Sequence, residues 1–394
     1  MTTPSQPTRV LVVGCGVIGK HHAIVLTRHP AFEVVGLIDP VPGRAAETAA
    51  AVVENGGTAP QEFSDIAAAM ASSTPPDLAA VCTPSGLHVD HADEALDAGL
   101  HVVIEKPLDV TVSKGARLAE RAREAAGRGQ VVSVISQHRF DPGAVAVRRA
   151  VDGDGLGTIT CALASMAWYR SQGYYDSGDW RGTWALDGGG AVMNQGVHTV
   201  DLLRWYLGRP EEVFAHTAQL AHERVEVEDT ATATVRFASG ALATIFCTTA
   251  AYPGLTTRVQ VHGTKGSAII DNDELRYLHC GDGEASDNLR EAKVTGNQAE
   301  AALEQVEEFG GSRNNADRFV AGHLRQYDDI AEAIQQGREP LVTVEEALLS
   351  SALVRSLYVS ATLGQPVRFD DVLSGVHDDV QPVVRGAQPV GVTA

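Results

Sequence analysis

The sequence predicts an α/β chain in two parts: an N-terminal doubly wound parallel sheet, then an α/β domain built on an open, mainly antiparallel sheet. Three observations carry this expectation. The first third alternates short apolar runs with amphipathic helical stretches, the pattern of a parallel sheet covered on both faces. The first of those runs, Arg9 to Val13, leads into Gly14, Gly16 and Gly19. Much later, Thr230 to Phe237 alternates strictly, with Ala231, Ala233, Val235 and Phe237 on one side and Thr230, Thr232, Thr234 and Arg236 on the other. That period of two marks a half-solvated antiparallel strand.

The glycine triplet has a mechanical reading. Gly14 allows a tight turn out of a strand, Gly16 lets backbone approach a pyrophosphate, and Gly19 lets the following helix pack closely. Val17 and Ile18 open that helix, and Ile18, His22, Val25 and Leu26 give it one buried side. Its amino end, with free N–H groups and the positive end of the dipole, then faces phosphates. A second strand, Glu33 to Ile38, ends in Asp39, where a nucleotide-binding sheet of the Rossmann type places the acid that binds the adenosine ribose hydroxyls. A carboxylate there repels the extra phosphate of NADP, so NAD is the expected cofactor. Arg44 keeps NADP as the minor alternative, because an Arg just past the second strand can pair with a phosphate.

Further along come a helix from about Pro42 to Glu54, a strand Leu78 to Cys82, a helix through His91 and Leu96, and a strand His101 to Glu105. A helix from about Val112 to Arg128 and a strand Val131 to Ser136 complete the first part. Ligands of parallel sheets bind outside the carboxyl ends of the strands. Those ends carry Gly14 to Gly19, Asp39, Thr83-Pro84 and Glu105-Lys106-Pro107, so the candidate motifs converge on one edge.

The character changes after about Gly153. Strand-like runs at Ala241 to Thr248, Thr257 to Val261 and Ser267 to Ile270 join the alternating strand. An acidic stretch from about Gly281 to Asn315 reads as a surface insertion with a short helix around Ala299 to Val306. Helices around His323 to Gln336 and Glu345 to Leu363 follow, with Gly337 as the stop between them. The expected division is a dinucleotide-binding domain over 1–136, a substrate and oligomerisation domain over 137–376, and a flexible tail over 377–394.

Bulk properties narrow the partners. The 394 residues are 44% hydrophobic and 21% charged, ordinary for a soluble globular chain. A formal net charge of -19 disfavours nucleic acid and anionic membrane surfaces. Met1 to Thr8 lacks an apolar signal core and no stretch approaches a membrane-spanning length, so a cytoplasmic protein is expected. Five scattered cysteines, Cys15, Cys82, Cys161, Cys247 and Cys280, show no metal-ligand spacing and read as reduced thiols; no metal is expected.

Two residues are candidates for proton transfer. Lys106 stands at a strand end before Pro107, which denies it helical geometry. Desolvation beside a nicotinamide would lower its pKa and suit it to polarise a hydroxyl; the competing reading is a solvated charge. His198 follows the run Gly188-Gly189-Gly190-Ala191-Val192-Met193-Asn194-Gln195-Gly196-Val197. Asn194, His198 and Asp201, spaced four and three apart, share a face if they lie on one helix. A neutral imidazole can take an alcohol's proton, and the competing reading is a structural histidine. Tyr174, Tyr175, Trp180, Arg181 and Trp184 cluster just before this run and form a candidate sugar-recognition loop, against the alternative of a loop anchored by its tryptophans. His323 is a weaker candidate for the same site.

Taken together, the glycine fingerprint, Thr83-Pro84 with His88, Glu105-Lys106-Pro107, Arg139-Phe140-Asp141-Pro142 and the run ending at His198-Thr199-Val200-Asp201 resemble the glucose-fructose oxidoreductase, inositol dehydrogenase and rhizopine catabolism group, the Gfo/Idh/MocA oxidoreductases, over about residues 8 to 366. The resemblance implies a Rossmann domain, an α/β domain whose open sheet mediates oligomers, and reversible oxidation of a sugar or cyclitol hydroxyl with NAD or NADP. It implies Lys106 at the active site, His198 as acid/base, and Thr83 to His88 near the nicotinamide ribose. Many members carry Asp four residues before the His, where this chain has Asn194, so charge support for an imidazolium must come from Asp201, from the cofactor's surroundings, or through Lys106.

These readings assign cofactor binding to Gly14, Gly16, Val17, Ile18, Gly19, Asp39, Thr83, Pro84, His88, Glu105 and Lys106. Catalysis falls to Lys106, His198 and Asn194, and substrate binding to Lys106, Tyr175, Trp180, Arg181, Asn194, Asp201 and His198. The expected activity is NAD-dependent oxidation of a secondary hydroxyl of a monosaccharide, inositol or related polyol by a homodimer or homotetramer. The alternatives are a redox-neutral NAD-dependent glycosidase and a noncatalytic NAD-dependent sugar sensor.

Overall fold

A computed structural model describes residues 6–281, 296–310 and 318–386. It divides into two compact units, Met1–Gln137 with Asn314–Leu348, and His138–Arg313 with Leu349–Ala394.

The first unit runs β1 (Thr8–Val13), α1 (Val17–Thr27), β2 (Phe32–Ile38), α2 (Arg44–Glu54), β3 (Gln61–Glu62), α3 (Ile66–Met70), β4 (Leu78–Val81), α4 (His88–Asp97), β5 (His101–Ile104), α5 (Val112–Ala126) and β6 (Val132–Val134). The strands form one six-stranded sheet in the order β3-β2-β1-β4-β5-β6, and every pair is parallel. The order reverses beside β1, so the ends of β1 and β4 form the switch point where such sheets bind ligands. The four residues of β4, Leu78 to Val81, are all buried, as expected for a strand covered on both faces.

In the second unit come α6 (Pro142–Asp152), β7 (Ile159–Ala167), α7 (Gln172–Tyr175), α8 (Val197–Leu207), β8 (Pro210–Gln219), β9 (Thr230–Phe237), β10 (Leu242–Thr248), β11 (Thr257–Gly263), β12 (Gly266–Asp271), β13 (Glu274–Cys280) and α9 (Ala299–Gly310). The chain then returns to the first unit with α10 (Arg318–Gln336), and α11 (Val344–Leu363), β14 (Val367–Arg368), α12 (Phe369–Leu373) and β15 (Arg385–Gly386) follow. The second sheet runs β13-β12-β11-β7-β10-β9-β8-β14, with β15 added beside β8, and only the β7–β10 and β8–β15 pairs are parallel. Along β9 burial alternates with the side-chain period, leaving Thr232, Thr234 and Arg236 on an open face.

Three departures from the sequence reading have physical causes. The helix expected at His323 to Gln336 was assigned to an uninterrupted second domain. It belongs to the first unit, because Val320, Leu324, Tyr327, Ile330 and Ala331 of α10 complete the core around Val10, Leu26 and Phe32. Strands β7, β8 and β13 were not expected, since their small or charged residues hide the alternation that β9 displays. Residues 377–386 were read as a flexible tail, yet β15 pairs with β8 and the Val383 N–H donates to Thr362 Oγ1 at 3.0 Å. Most of the acidic insertion, 282–295 and 311–317, and the terminal 387–394 lie outside the described residues. No described helix is long and apolar enough to cross a membrane.

Candidate active site

The glycine loop separates what the chain needs from what a ligand needs. Gly14 has φ +93°, and a Cβ there would lie 2.7 Å from the Cys82 carbonyl oxygen. A Cβ on Gly19 would lie 1.8 Å from the Gly14 carbonyl oxygen, so both positions are closed to larger residues by the fold itself. At Gly16 a Cβ would meet no protein atom within 4 Å. The space there is open to an incoming group, and Gly16, as N-cap of α1, supplies no side-chain acceptor to the first amides of the helix. Val17 is 86% exposed at the head of α1, whereas Ile18 packs against the core.

Asp39 is fixed at the end of β2, its Oδ2 accepting from Cys15 N–H at 2.7 Å and its Oδ1 from Val41 N–H at 2.8 Å. Thr83 and Pro84 follow β4, and Thr83 Oγ1 is buried without a hydrogen-bond partner in the protein. An orphaned hydroxyl beside an uncapped helix and an open glycine is a donor set that a dinucleotide satisfies. Arg44 opens α2 and is exposed. Cys15 is buried, and that burial pushes its thiol up to about 12, which leaves it neutral packing material.

The Glu105-Lys106-Pro107 segment is held from behind. Glu105 is 4% exposed; its Oε1 accepts from His22 Nε2 at 2.7 Å and its Oε2 from the Lys106 N–H at 2.9 Å. His22 in turn meets Tyr327 Oη of α10 at 2.8 Å through Nδ1. Burial opposes ionisation of Glu105, but the hydrogen bond from His22, the nearby His323 ring and the Lys106 charge outweigh it and hold the carboxyl well below its usual range. Burial lowers the His22 pKa, so a neutral imidazole donates to an ionised carboxylate.

Glu105 was expected to touch cofactor; both of its oxygens instead serve this internal network, which ties the Lys106 backbone to α1 and α10. His323 was expected near substrate; it is 1% exposed and lies 3.8 Å from Glu105 inside the first unit. His88 is likewise buried at 1%, with Nδ1 2.7 Å from Pro107 O and Nε2 2.8 Å from Thr83 O. It clamps two strand-end loops together rather than presenting itself to a ligand.

In the second unit, the run before His198 winds as a π-helical turn, Ala191–Gly196, that passes directly into α8. Glu228 anchors its start. Glu228 Oε2 accepts from Gly190 N–H at 3.0 Å and Oε1 from Val192 N–H at 2.9 Å, while Tyr358 Oη donates to Oε1 at 3.0 Å. The approach is so close that a Cβ on Gly190 would lie 1.7 Å from the Glu228 carbonyl oxygen. Burial raises the Glu228 pKa to about 7 against these three stabilising hydrogen bonds.

The wider π turn also redirects Asn194, whose Nδ2 donates to Asp187 Oδ1 at 2.6 Å. Asp187 is 2% exposed and its Oδ2 accepts from Gly182 N–H at 2.8 Å. A carboxylate therefore stands behind the amide. Asp201 was expected to bind substrate or support His198. It is 5% exposed and held by Arg139, with Nε–Oδ2 at 2.7 Å and Nη2–Oδ1 at 2.6 Å, while Ser350 Oγ donates to Oδ1 at 2.5 Å. That bidentate pair ties α8 to the turn at Gln137–Phe140.

His198 lines an open pocket with His138, Trp168, Gln195, Thr199, Thr257, Arg258 and Asp273 among its walls. Gln195 donates from Nε2 to Tyr174 Oη at 3.0 Å and keeps Oε1 buried without a partner in the protein. Arg181 donates to the same Tyr174 Oη at 2.8 Å and sits over the Tyr174 and Trp180 rings, 4.4 Å from each centroid. The expected recognition loop thus reaches the pocket through Gln195. Tyr175 does not: it is 5% exposed, bonded to Thr249 Oγ1 at 2.8 Å and packed on His222. His138, Trp168, Gln195 and Asp273 were missed as site residues. The Arg139-Phe140-Asp141-Pro142 motif was the signal nearest to His138.

A glycine-loop nucleotide sheet and a separate unit presenting an imidazole in a polar, aromatic pocket define an NAD(P)-binding oxidoreductase. Residues 8–134 match the family described as "Oxidoreductase family, NAD-binding Rossmann fold", and residues 144–269 match "GFO/IDH/MocA C-terminal domain". The WlbA dehydrogenase from Bordetella pertussis, solved with NADH and UDP-GlcNAcA, is 30% identical with TM-score 0.78, covering 92% of this chain and 98% of that one. D-glucoside 3-dehydrogenase of Escherichia coli is 27% identical over 92% of this chain and 98% of its own. scyllo-Inositol 2-dehydrogenase (NAD(+)) of Bacillus subtilis is 24% identical over 92% and 96%. The chain belongs to the Gfo/Idh/MocA oxidoreductases, a family of NAD(P)-dependent dehydrogenases acting on sugar hydroxyls.

Two outcomes follow from this geometry. Gly16→Ala is expected to keep the melting temperature within a few degrees while weakening NAD binding, whereas Gly19→Ala loses the folded first unit; thermal melts and NAD titration check both, and equal effects would contradict the assignment. For Glu228, the folded state retains a proton that the unfolded chain releases above its ordinary pKa. Stability is therefore lost as pH rises from about 5 to 8, by at most about 3 kcal/mol. Melts of wild type and Glu228→Gln across that window should diverge as pH rises; a constant difference would show that this carboxyl does not titrate there.

Proposed function

We propose that this chain oxidises a secondary hydroxyl of a monosaccharide, inositol or related polyol with NAD as the acceptor. The observation that carries the reading is the pocket of the second unit. It combines His198 with an aromatic wall, Trp168, and with the unpartnered Gln195 Oε1, which a substrate hydroxyl would satisfy. The relatives that act on a glucoside and on scyllo-inositol support the substrate class.

The dinucleotide is held by the Gly14 to Gly19 loop with Val17 and Ile18, by Asp39 and by Thr83-Pro84. Asp39 favours NAD over NADP because its carboxylate repels a 2′-phosphate. When bound, the nicotinamide supplies the hydride acceptor. His198 takes the hydroxyl proton as the carbon is oxidised, Asn194 orients a hydroxyl with Asp187 behind it, and Lys106 is the second proton-carrying group. Trp180 and Arg181 shape the recognition loop through Tyr174 and Gln195. The open face of the second sheet, with Thr232, Thr234, Arg236 and Leu242 exposed, supports a homodimer or homotetramer.

Absorbance at the reduced-nicotinamide band, followed with NAD and with NADP across monosaccharides, inositols, glucosides and nucleotide sugars, tests this. Turnover with a polyol and NAD is expected, and His198→Asn should lower kcat on the order of 10²- to 10⁴-fold without loss of NAD binding. Full activity in that variant would remove His198 from the chemistry. Tight NAD binding with no net reduction across the panel would point to a redox-neutral glycosidase or a sensor.

A further inference from the structure

Beside His198 stands a second histidine that the proposed reaction does not use. His138 lines the same pocket, its ring centroid 5.0 Å from that of His198 and the two planes at 78°. Its Nδ1 lies 2.8 Å from Asp141 Oδ2 and 3.4 Å from Asp273 Oδ1, so two carboxylates bracket one nitrogen. Nδ1 therefore carries a proton, and the ring plane is fixed from that side. The neighbouring Arg139 ties the same turn to α8 through Asp201, three residues beyond His198. The separation of the two imidazoles is thus set by a buried ion pair rather than by loop length.

Resting on the polyol reading above, we propose that His138 binds the hydroxyl adjacent to the one oxidised, so that the pocket selects vicinal diols. The far nitrogen, Nε2, accepts a hydroxyl proton in the neutral ring and donates to a hydroxyl oxygen in the protonated one. A hydroxyl serves in both states because it is donor and acceptor at once. Two imidazoles with centroids 5.0 Å apart can each reach one of two neighbouring hydroxyls on a sugar or cyclitol ring through bonds of about 2.8 Å. Asp141 and Asp273 act only through His138 and are positioning residues.

The test uses the full chain with NAD and the fastest of myo-inositol, scyllo-inositol, D-glucose, D-xylose and methyl β-D-glucoside, compared with the monodeoxy analogues at each carbon flanking the oxidised one. Wild type should disfavour one analogue by about 10- to 100-fold in kcat/KM, the value of a hydrogen bond to a well-placed polar group. His138→Phe, which keeps the ring's bulk, should erase that discrimination at the one carbon while still oxidising the analogue, and His138→Gln should restore part of it. Unchanged discrimination in His138→Phe overturns the assignment while leaving the oxidation itself standing. Should His138→Phe fail to fold, unchanged discrimination in His138→Gln and in Asp273→Asn does the same. If wild type neither oxidises these polyols nor binds them in the presence of NADH by saturation-transfer NMR, the polyol reading fails and the role of His138 falls with it.

Discussion

The pocket of the second unit is organised around one interaction, the buried ion pair between Arg139 and Asp201. Both partners are almost fully removed from water, at 4% and 5% exposure. Desolvating two charges costs several kcal/mol each, and mutual attraction repays that only where geometry is close to ideal. Here the geometry is bidentate, Ser350 adds a third donor to the carboxylate, and the Arg139 guanidinium lies 5.5 Å from the Trp205 ring centroid. The contribution of such a pair is placement more than stability. It fixes the turn that carries His138 against the helix that carries His198.

A second buried charge does comparable work in the first unit. Glu105 is ionised in the interior because His22, His323 and the Lys106 amide surround it. The effect is to make the end of β5, and so the backbone of Lys106, continuous with the glycine-loop helix and with α10. In both units a buried charged residue is the fixed support of its neighbour in sequence: Glu105 accepts from the Lys106 amide, and Arg139 holds the turn that carries His138.

Where function was written in local pattern, the sequence was legible. The glycine spacing before α1 obeys contacts within a few residues, and β9 shows its open face by simple alternation. What could not be read were contacts that break a regular helical spacing or cross long separations. Asn194 meets Asp187 rather than sharing an α-helical face with His198, because the π turn at Ala191–Gly196 breaks the spacing that a regular helix would give. Asp201, read as a substrate contact, is instead buried and held by Arg139, 62 residues earlier. α10 returns to complete a core begun about 300 residues before, which no local pattern encodes. His138 became visible only when Asp273, on the turn after β12, and His198 were seen around it.

The central claim is that the Arg139–Asp201 pair places His198, the proposed proton acceptor. Asp201→Asn keeps shape and one acceptor while removing the charge, so single-turnover reduction of bound NAD by the preferred polyol, with NAD affinity and melting temperature measured alongside, tests it most directly. The account predicts a reduction rate lower by on the order of 10- to 100-fold, the effect of a small misplacement of a catalytic group, with NAD affinity unchanged. A rate equal to wild type in a folded variant would contradict it.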